Sequence, residues 1–267
     1  MNHRISSLQN PRIKQAVHLR KGVERKKENL TIVEGFREVQ LAVSGGFKTH
    51  TIFVSPSLTG EEKYARIRKI LPGHPLYEVP RKVYSRIACR EGSDGVLALM
   101  VPKRLQLDQV ELSENPLVLV AESVEKPGNI GAMLRTADAA GVDAVIVCDP
   151  GTDIYNPNII RSSLGSVFTS NVVACTTGEA LDWLKERGIR VAVTALNASR
   201  PYHETDFKLP LALVVGAEDR GVSEIWIERS DENIIIPMFG KVDSMNVSVS
   251  AAVVLFEALR QRGFKKR

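Results

Sequence analysis

Along most of this chain, short apolar runs alternate with stretches whose hydrophobic residues recur every three or four positions, the two periods of strand and helix. Apolar runs at 31–33, 51–54, 76–79 and 96–101 predict strands. Amphipathic stretches at 36–43, 61–71 and 81–89 predict helices between them, the first stopped by Gly45-Gly46. The alternation resumes further on. Strands are expected at 117–121, 144–147, 172–174, 191–194, 211–215 and 233–236. Helices are expected at 130–140 before Gly141, 158–164 before Gly165, 178–187 before Gly188, 223–227, and 247–261. The last carries Val249, Ala252, Val253, Phe256 and Leu259 as one apolar stripe, suited either to the core or to a second copy of the chain.

Strands alternating with helices imply α/β architecture, with the continuous apolar runs of the second half reading as buried parallel strands. Residues 1–28 differ. Asn10-Pro11 is a helix start, and Arg12, Lys14, Arg20, Lys21, Arg25, Lys26 and Lys27 follow with few apolar partners. This predicts a basic helix and exposed extension with little core. The polar, aperiodic stretch ending at Asn115-Pro116 predicts a linker. The expected organisation is therefore an extension at 1–28, a small α/β domain at 29–104, a linker at 105–116 and a larger α/β domain at 117–267. No internal repeat or low-complexity segment interrupts it.

Composition changes the picture in one respect. The net charge of +5 conceals an asymmetry: residues 1–105 hold 20 Lys and Arg against 9 Asp and Glu, the rest 16 against 22. A basic half joined to an acidic half points to a polyanion for the first, or else to a solvated basic face. Cys89, Cys148 and Cys175 form no CxxC or Cys/His cluster, so neither a disulfide framework nor a metal site is expected. No run approaches the roughly 18 apolar residues of a membrane span. The first residues resemble no signal peptide, so a cytoplasmic protein is expected.

Three segments carry candidate chemistry, each just beyond an expected strand, where open α/β sheets bind ligands. The first runs from Glu125-Lys126-Pro127-Gly128-Asn129-Ile130-Gly131 into a helix bearing Arg135; Asn129 stands where a cap would stand, and Asp138 lies one turn past Arg135. The second, Gly216-Ala217-Glu218-Asp219-Arg220-Gly221, sets a carboxylate between glycines that allow close backbone approach. It lacks the fingerprints of a dinucleotide turn or a P-loop. The third, Ile236-Pro237-Met238-Phe239-Gly240 followed by Asp243-Ser244-Met245-Asn246-Val247-Ser248, runs small polar residues into the last helix, with Ser244 a candidate cap.

Together, in this order, these segments resemble the three motifs of the SpoU/TrmH family of SPOUT RNA methyltransferases, over roughly residues 117–262. Ala217, where the family most often has Asn, and Met245, for the usual Leu, depart from the pattern. Ile32-Val33-Glu34-Gly35 before a helix resembles, less specifically, the family's L30e-like RNA-binding domain. The resemblance implies a trefoil-knotted parallel-sheet domain that uses S-adenosylmethionine to methylate a ribose 2′-hydroxyl without a metal. It implies a cofactor pocket at Gly216, Ile236 and Met245, with Thr194 beside it, and a catalytic group centred on Arg135 and oriented by Asn129, Glu218, Ser244 and Asn246. Arg161, in Arg161-Ser162-Ser163-Leu164-Gly165, matches a further family position suited to a phosphate, or else to a surface ion pair. Lys21, Lys26 and Lys27 are the expected RNA contacts of the basic half. The resemblance also implies a homodimer and favours ribosomal RNA, because a dedicated N-terminal domain is more typical of the ribosomal members. A tRNA-directed enzyme, a base methyltransferase of the same superfamily and a non-catalytic RNA-binding protein are the alternatives.

Overall fold

The computed structural model describes residues 2–196, 200–242 and 244–264, and the chain packs as two compact units. In the first, β1 (Asn2–Arg4), α1 (Pro11–His18) and α2 (Gly22–Glu28) precede β2 (Thr31–Glu34), α3 (Phe36–Ser44), β3 (Lys48–Val54), α4 (Pro56–Thr59), α5 (Glu61–Ile70), β4 (Leu76–Glu78), α6 (Arg81–Ile87) and β5 (Val96–Val101). Five strands form one mixed sheet in the order β1-β4-β3-β5-β2.

The N-terminal stretch is not the loose extension that its charge suggested. Its strand pairs in parallel with β4, and Ile13, Ala16 and Leu19 enter the same core as Ile32, Phe53, Tyr84 and Leu97. Arg25 is buried, its Nη1 donating to the carbonyls of Leu19 and Arg20 at 3.1 and 3.0 Å. Arg20 donates to the carbonyls of Arg86 and Ala88, and the guanidinium of Arg12 lies 4.8 Å above the Tyr77 ring. Three of the seven basic residues thus serve the fold, satisfying buried carbonyls or covering an aromatic face. The apolar content of a short helix is too small to show this in the sequence. Lys21, Lys26 and Lys27 remain exposed.

The second unit is built on β6 (Leu117–Glu122), α7 (Pro127–Ala140) and β7 (Ala144–Cys148). The chain then supplies α8 (Pro157–Ser162) to the first unit before returning. There follow β8 (Val172–Cys175), α9 (Thr177–Glu186), β9 (Arg190–Thr194), β10 (Arg200–Pro201), β11 (Leu211–Val215), α10 (Glu224–Arg229), β12 (Glu232–Ile235) and α11 (Val247–Gln261). The excursion at 155–169 is held in the first unit by the Thr31 hydroxyl on the Tyr155 carbonyl at 2.6 Å. Phe47 stands edge-on to both Tyr155 and Phe168, at 5.4 and 4.9 Å. Gly45 allows the approach: a Cβ there would lie 2.2 Å from the Phe168 carbonyl oxygen.

All seven strands of the second sheet run parallel, in the order β10-β12-β9-β11-β6-β7-β8. Every residue of β6, β7 and β11 is buried, as expected when helices cover both faces. Val118, Val120, Ile146, Val193 and Val214 pack with Ala180, Leu184 and Trp226 of α9 and α10. The helix α7 packs against α11, burying Ile130, Met133, Leu134 and Ala137 at helical spacing, and stops at Gly141, whose φ of 62° suits glycine. The stripe named on α11 does not face this core. Val247, Ala251, Val254, Leu255 and Ala258 are buried instead, while Val249 and Phe256 are 48% and 44% exposed. Both stripes are apolar, and tertiary packing chose between them.

Candidate active site

The strand order explains how residues 117 positions apart meet. β12, β9, β11 and β6 are neighbours and parallel, so the segments leaving their carboxyl ends emerge side by side. These are 236–242 with 244–246, 195–196, 216–223 and 123–129, which contain the second motif, the start of the first and most of the third.

The segments beyond β9, β11 and β12 line a cavity of about 470 Å³, within the range of roughly 300–1,000 Å³ typical of small-molecule sites. Ile236, Met238 and Met245 give it apolar walls, and the 216–221 backbone gives a polar one. Gly216 is required by packing: a Cβ there would lie 2.1–2.3 Å from the backbone of Gly221 and Val222. Ala217 and Gly221 exchange backbone hydrogen bonds at 2.9 and 3.0 Å, closing the loop on itself. Thr194 also lines the cavity, its hydroxyl donating to the Val214 carbonyl at 3.1 Å.

Of the expected catalytic group, the structure assembles four members around this space. Glu218 and Ser244 line the cavity. Asn129 donates its amide to Glu218, and Asn246 donates to the Asn129 oxygen at 3.1 Å. Asn246 also caps α11, accepting from the Ser248 amide and hydroxyl at 3.0 and 2.6 Å. Two capping expectations are corrected here. Asn246, not Ser244, caps the last helix, leaving Ser244 to the cavity. Asn129 is not a cap, because α7 starts earlier, at Pro127, and sets it in the first turn facing Glu218. The third motif's Asp243 lies outside the described residues.

Arg135 stands apart. It is exposed on α7, absent from the cavity wall, and makes no ion pair or hydrogen bond among the described residues, so the Asp138 pairing is not formed. Arg161 is exposed on α8 within the first unit, again with no ion pair among the described residues. Lys21, Lys26 and Lys27 sit at the start of and within α2 of the first unit. Sequence reasoning passed over Arg220, which joins the first two motifs through Glu125 at 3.6 Å, and Ser250 on the cavity wall. A lone charge in a Gly-rich loop and a serine in a helix give no signal of either role.

The cavity carries Glu218 and Asp219 against Arg220. Two carboxylates beside one guanidinium make it a poor seat for a phosphate. An apolar-walled slot with a glycine-thinned backbone edge and excess negative charge suits a flat heteroaromatic ligand bearing positive charge, as S-adenosylmethionine does at its sulfonium. Among the described residues no three His, Cys, Asp or Glu side chains group as metal ligands, and no helix is long and apolar enough to cross a membrane.

Fold and site together define a parallel-sheet α/β protein with a nucleoside-sized pocket made by loops at adjoining strand ends. Residues 116–256 match the SpoU rRNA methylase family, and residues 10–98 match the MRM3-like substrate binding domain. The 23S rRNA (guanosine(2553)-2′-O)-methyltransferase RlmP of Bacillus subtilis is 32% identical over 253 residues, 94% of this chain and 97% of that protein. The AdoMet-bound rRNA methyltransferase from Sinorhizobium meliloti superposes with a TM-score of 0.87 at 28% identity, covering 97% of this chain and 98% of that one. The SpoU methyltransferase AviRb of Streptomyces viridochromogenes, in complex with AdoMet, gives 0.86 at 26% identity, covering 97% and 100%. The chain belongs to the SpoU methylase family.

Proposed function

We propose that this chain methylates the ribose 2′-hydroxyl of a nucleotide in ribosomal RNA, in the cytoplasm and as a homodimer, with Arg135 as its central catalytic residue. The family activity, S-adenosylmethionine-dependent 2′-O-methylation of RNA, is this chain's activity. The observation that carries the reading is that the second and third motifs line one cavity and that the first joins them through Asn129, in a single hydrogen-bonded chain with Glu218 and Asn246.

S-adenosylmethionine, when bound, supplies a methyl already activated by a sulfonium. The protein's share is to seat that donor against Gly216, Ile236 and Met245, align the hydroxyl, and stabilise charge on the ribose oxygen. Glu218 and Asn129 hold one another, which fixes the polar rim of the slot. Arg135 does not act as the base, because a guanidinium stays protonated. It stabilises the developing oxyanion, and a phosphate or water takes the proton.

The partnerless Arg135 outside its own chain's cavity, and the outward apolar stripe with Val249 and Phe256, both favour a second copy completing the site. Exposed Lys21, Lys26 and Lys27 and the partnerless Arg161 favour phosphate contacts from the first unit.

The test is transfer of labelled methyl to separated RNA fractions, then alkaline hydrolysis, which a 2′-O-methyl group blocks at one position. Arg135→Ala is expected to lower kcat by at least ~100-fold, the scale of losing an oxyanion-stabilising group. Label in tRNA alone overturns the ribosomal assignment. Full activity of Arg135→Ala overturns the role of that residue.

A further inference from the structure

Glu122 ends β6, after five buried apolar residues. The residue is only 4% exposed, and its carboxylate has no ion pair among the described residues. Burying a carboxylate without a cation is costly unless hydrogen bonds replace its water. Here three do. Oε1 accepts from the Ser223 hydroxyl at 2.5 Å and the Thr177 hydroxyl at 3.2 Å, and Oε2 accepts from the Ser223 amide at 2.7 Å.

The donors come from two loops with different duties. Thr177 opens α9 and is not part of the cavity wall. Ser223 ends the 216–223 loop, which supplies the polar wall of the cavity and carries Glu218. That loop is pinned at its start by the close packing of Gly216 and in its middle by the Ala217–Gly221 bonds. Its far foot rests on Glu122. The residue after Glu122, Ser123, turns the chain with a φ of 51° into the segment that leads to Asn129. The two segments that meet at Asn129 and Glu218 therefore share one anchor at their bases.

We infer that Glu122 is a positioning residue for the S-adenosylmethionine pocket, holding the 216–223 loop through Ser223 without touching the ligand itself. This rests on the pocket reading above. Ser223 gives Glu122 both its amide and its hydroxyl, and Thr177 gives one longer bond, so the loop that shapes the pocket carries most of the anchoring.

The experiment uses the full chain and three variants: Glu122→Gln, Ser223→Ala and Thr177→Val. It measures S-adenosylmethionine affinity by calorimetry, separate KM values for cofactor and RNA, kcat, and Tm. Glu122→Gln is expected to raise the cofactor Kd and KM by about 10-fold and leave the RNA KM unchanged, the scale of a weakened charge-assisted pair. Ser223→Ala is expected to raise the cofactor Kd about threefold, less than Glu122→Gln, because the Ser223 amide still donates to the carboxylate. Thr177→Val should stay within about twofold of wild type, while lowering Tm slightly. Wild-type cofactor affinity in Glu122→Gln or Ser223→Ala overturns the inference, and so does equal weakening by Thr177→Val, the pattern of general loosening at the sheet end. If Glu122→Gln does not fold, the exposed Ser223→Ala decides alone by the same criterion. A wild-type protein that takes up no cofactor refutes the pocket reading and this inference with it, whereas a binding wild type with unaffected variants refutes only the anchor.

Discussion

Asn246 has two jobs that a single substitution can separate. Its oxygen caps α11 through the Ser248 amide, and its nitrogen holds the Asn129 oxygen. Asn246→Ala removes both and should cost about 1 kcal/mol of stability, the usual loss of an N-cap. Asn246→Asp keeps an acceptor for the cap and loses the donor to Asn129, so it should melt with wild type while transferring methyl at least ~10-fold more slowly. Thermal melts beside single-turnover rates check this. Parallel losses of Tm and rate in Asn246→Asp would leave the residue with a capping role alone. The sequence showed Asn246 and Ser248 crowded at a helix start, but the pairing of Asn246 with Asn129 depends on two strand ends being neighbours, which no local pattern reports.

Among the elements, α11 depends on its last turn as much as on its first. Just beyond it, Arg262 donates to the carbonyls of Phe207, Asn115, Leu209 and Pro116, at 2.7, 2.9, 2.5 and 3.4 Å. These carbonyls belong to the segments that enter β11 and β6, so one guanidinium fastens the final helix to the amino ends of two central strands. Burial pulls its pKa down from the usual value, yet it stays charged at any ordinary pH. Arg262→Ala leaves partly buried carbonyls unpaired and should lower unfolding free energy by roughly 2–3 kcal/mol, read from denaturant midpoints. Arg262→Lys should recover only part, since a point charge cannot span four acceptors. Helix and strand positions were legible because their periods are strong. The choice of buried stripe on α11 was not, since Val254 and Leu255 are as apolar as Val253 and Phe256.

For the whole molecule, the charge asymmetry becomes a division of labour. Reversing the charge of Lys21, Lys26 and Lys27 together should weaken RNA binding and flatten the dependence of log Kd on log salt by about two to three units of slope. Cofactor affinity should not change. Filter binding across salt concentrations checks it, and an unchanged slope removes the role. The dimer proposal has its own test. Arg135→Ala mixed in equal amount with a pocket-defective Gly216→Val chain should restore about a quarter of wild-type activity, because only one kind of composite site is intact. No recovery after confirmed subunit exchange would mean that each chain uses its own arginine.

The chain's own order of residues determined the two α/β regions, the strand and helix positions, the glycine at 216 and the three motifs, because periodicity, turn chemistry and close backbone approach are local properties. It also carried, unread, the carboxylate at the end of β6: an acid closing an apolar run is a visible anomaly, but its meaning lies in Ser223, 101 positions away. Tertiary structure alone decided which strands adjoin, and so which loops share a cavity. It gave the 155–169 segment to the first unit, turned three of the seven basic residues of the N-terminal stretch to structural use, and set Arg135 outside its own pocket. These are outcomes of long-range packing, where apolar surfaces of equal hydrophobicity compete and geometry selects among them.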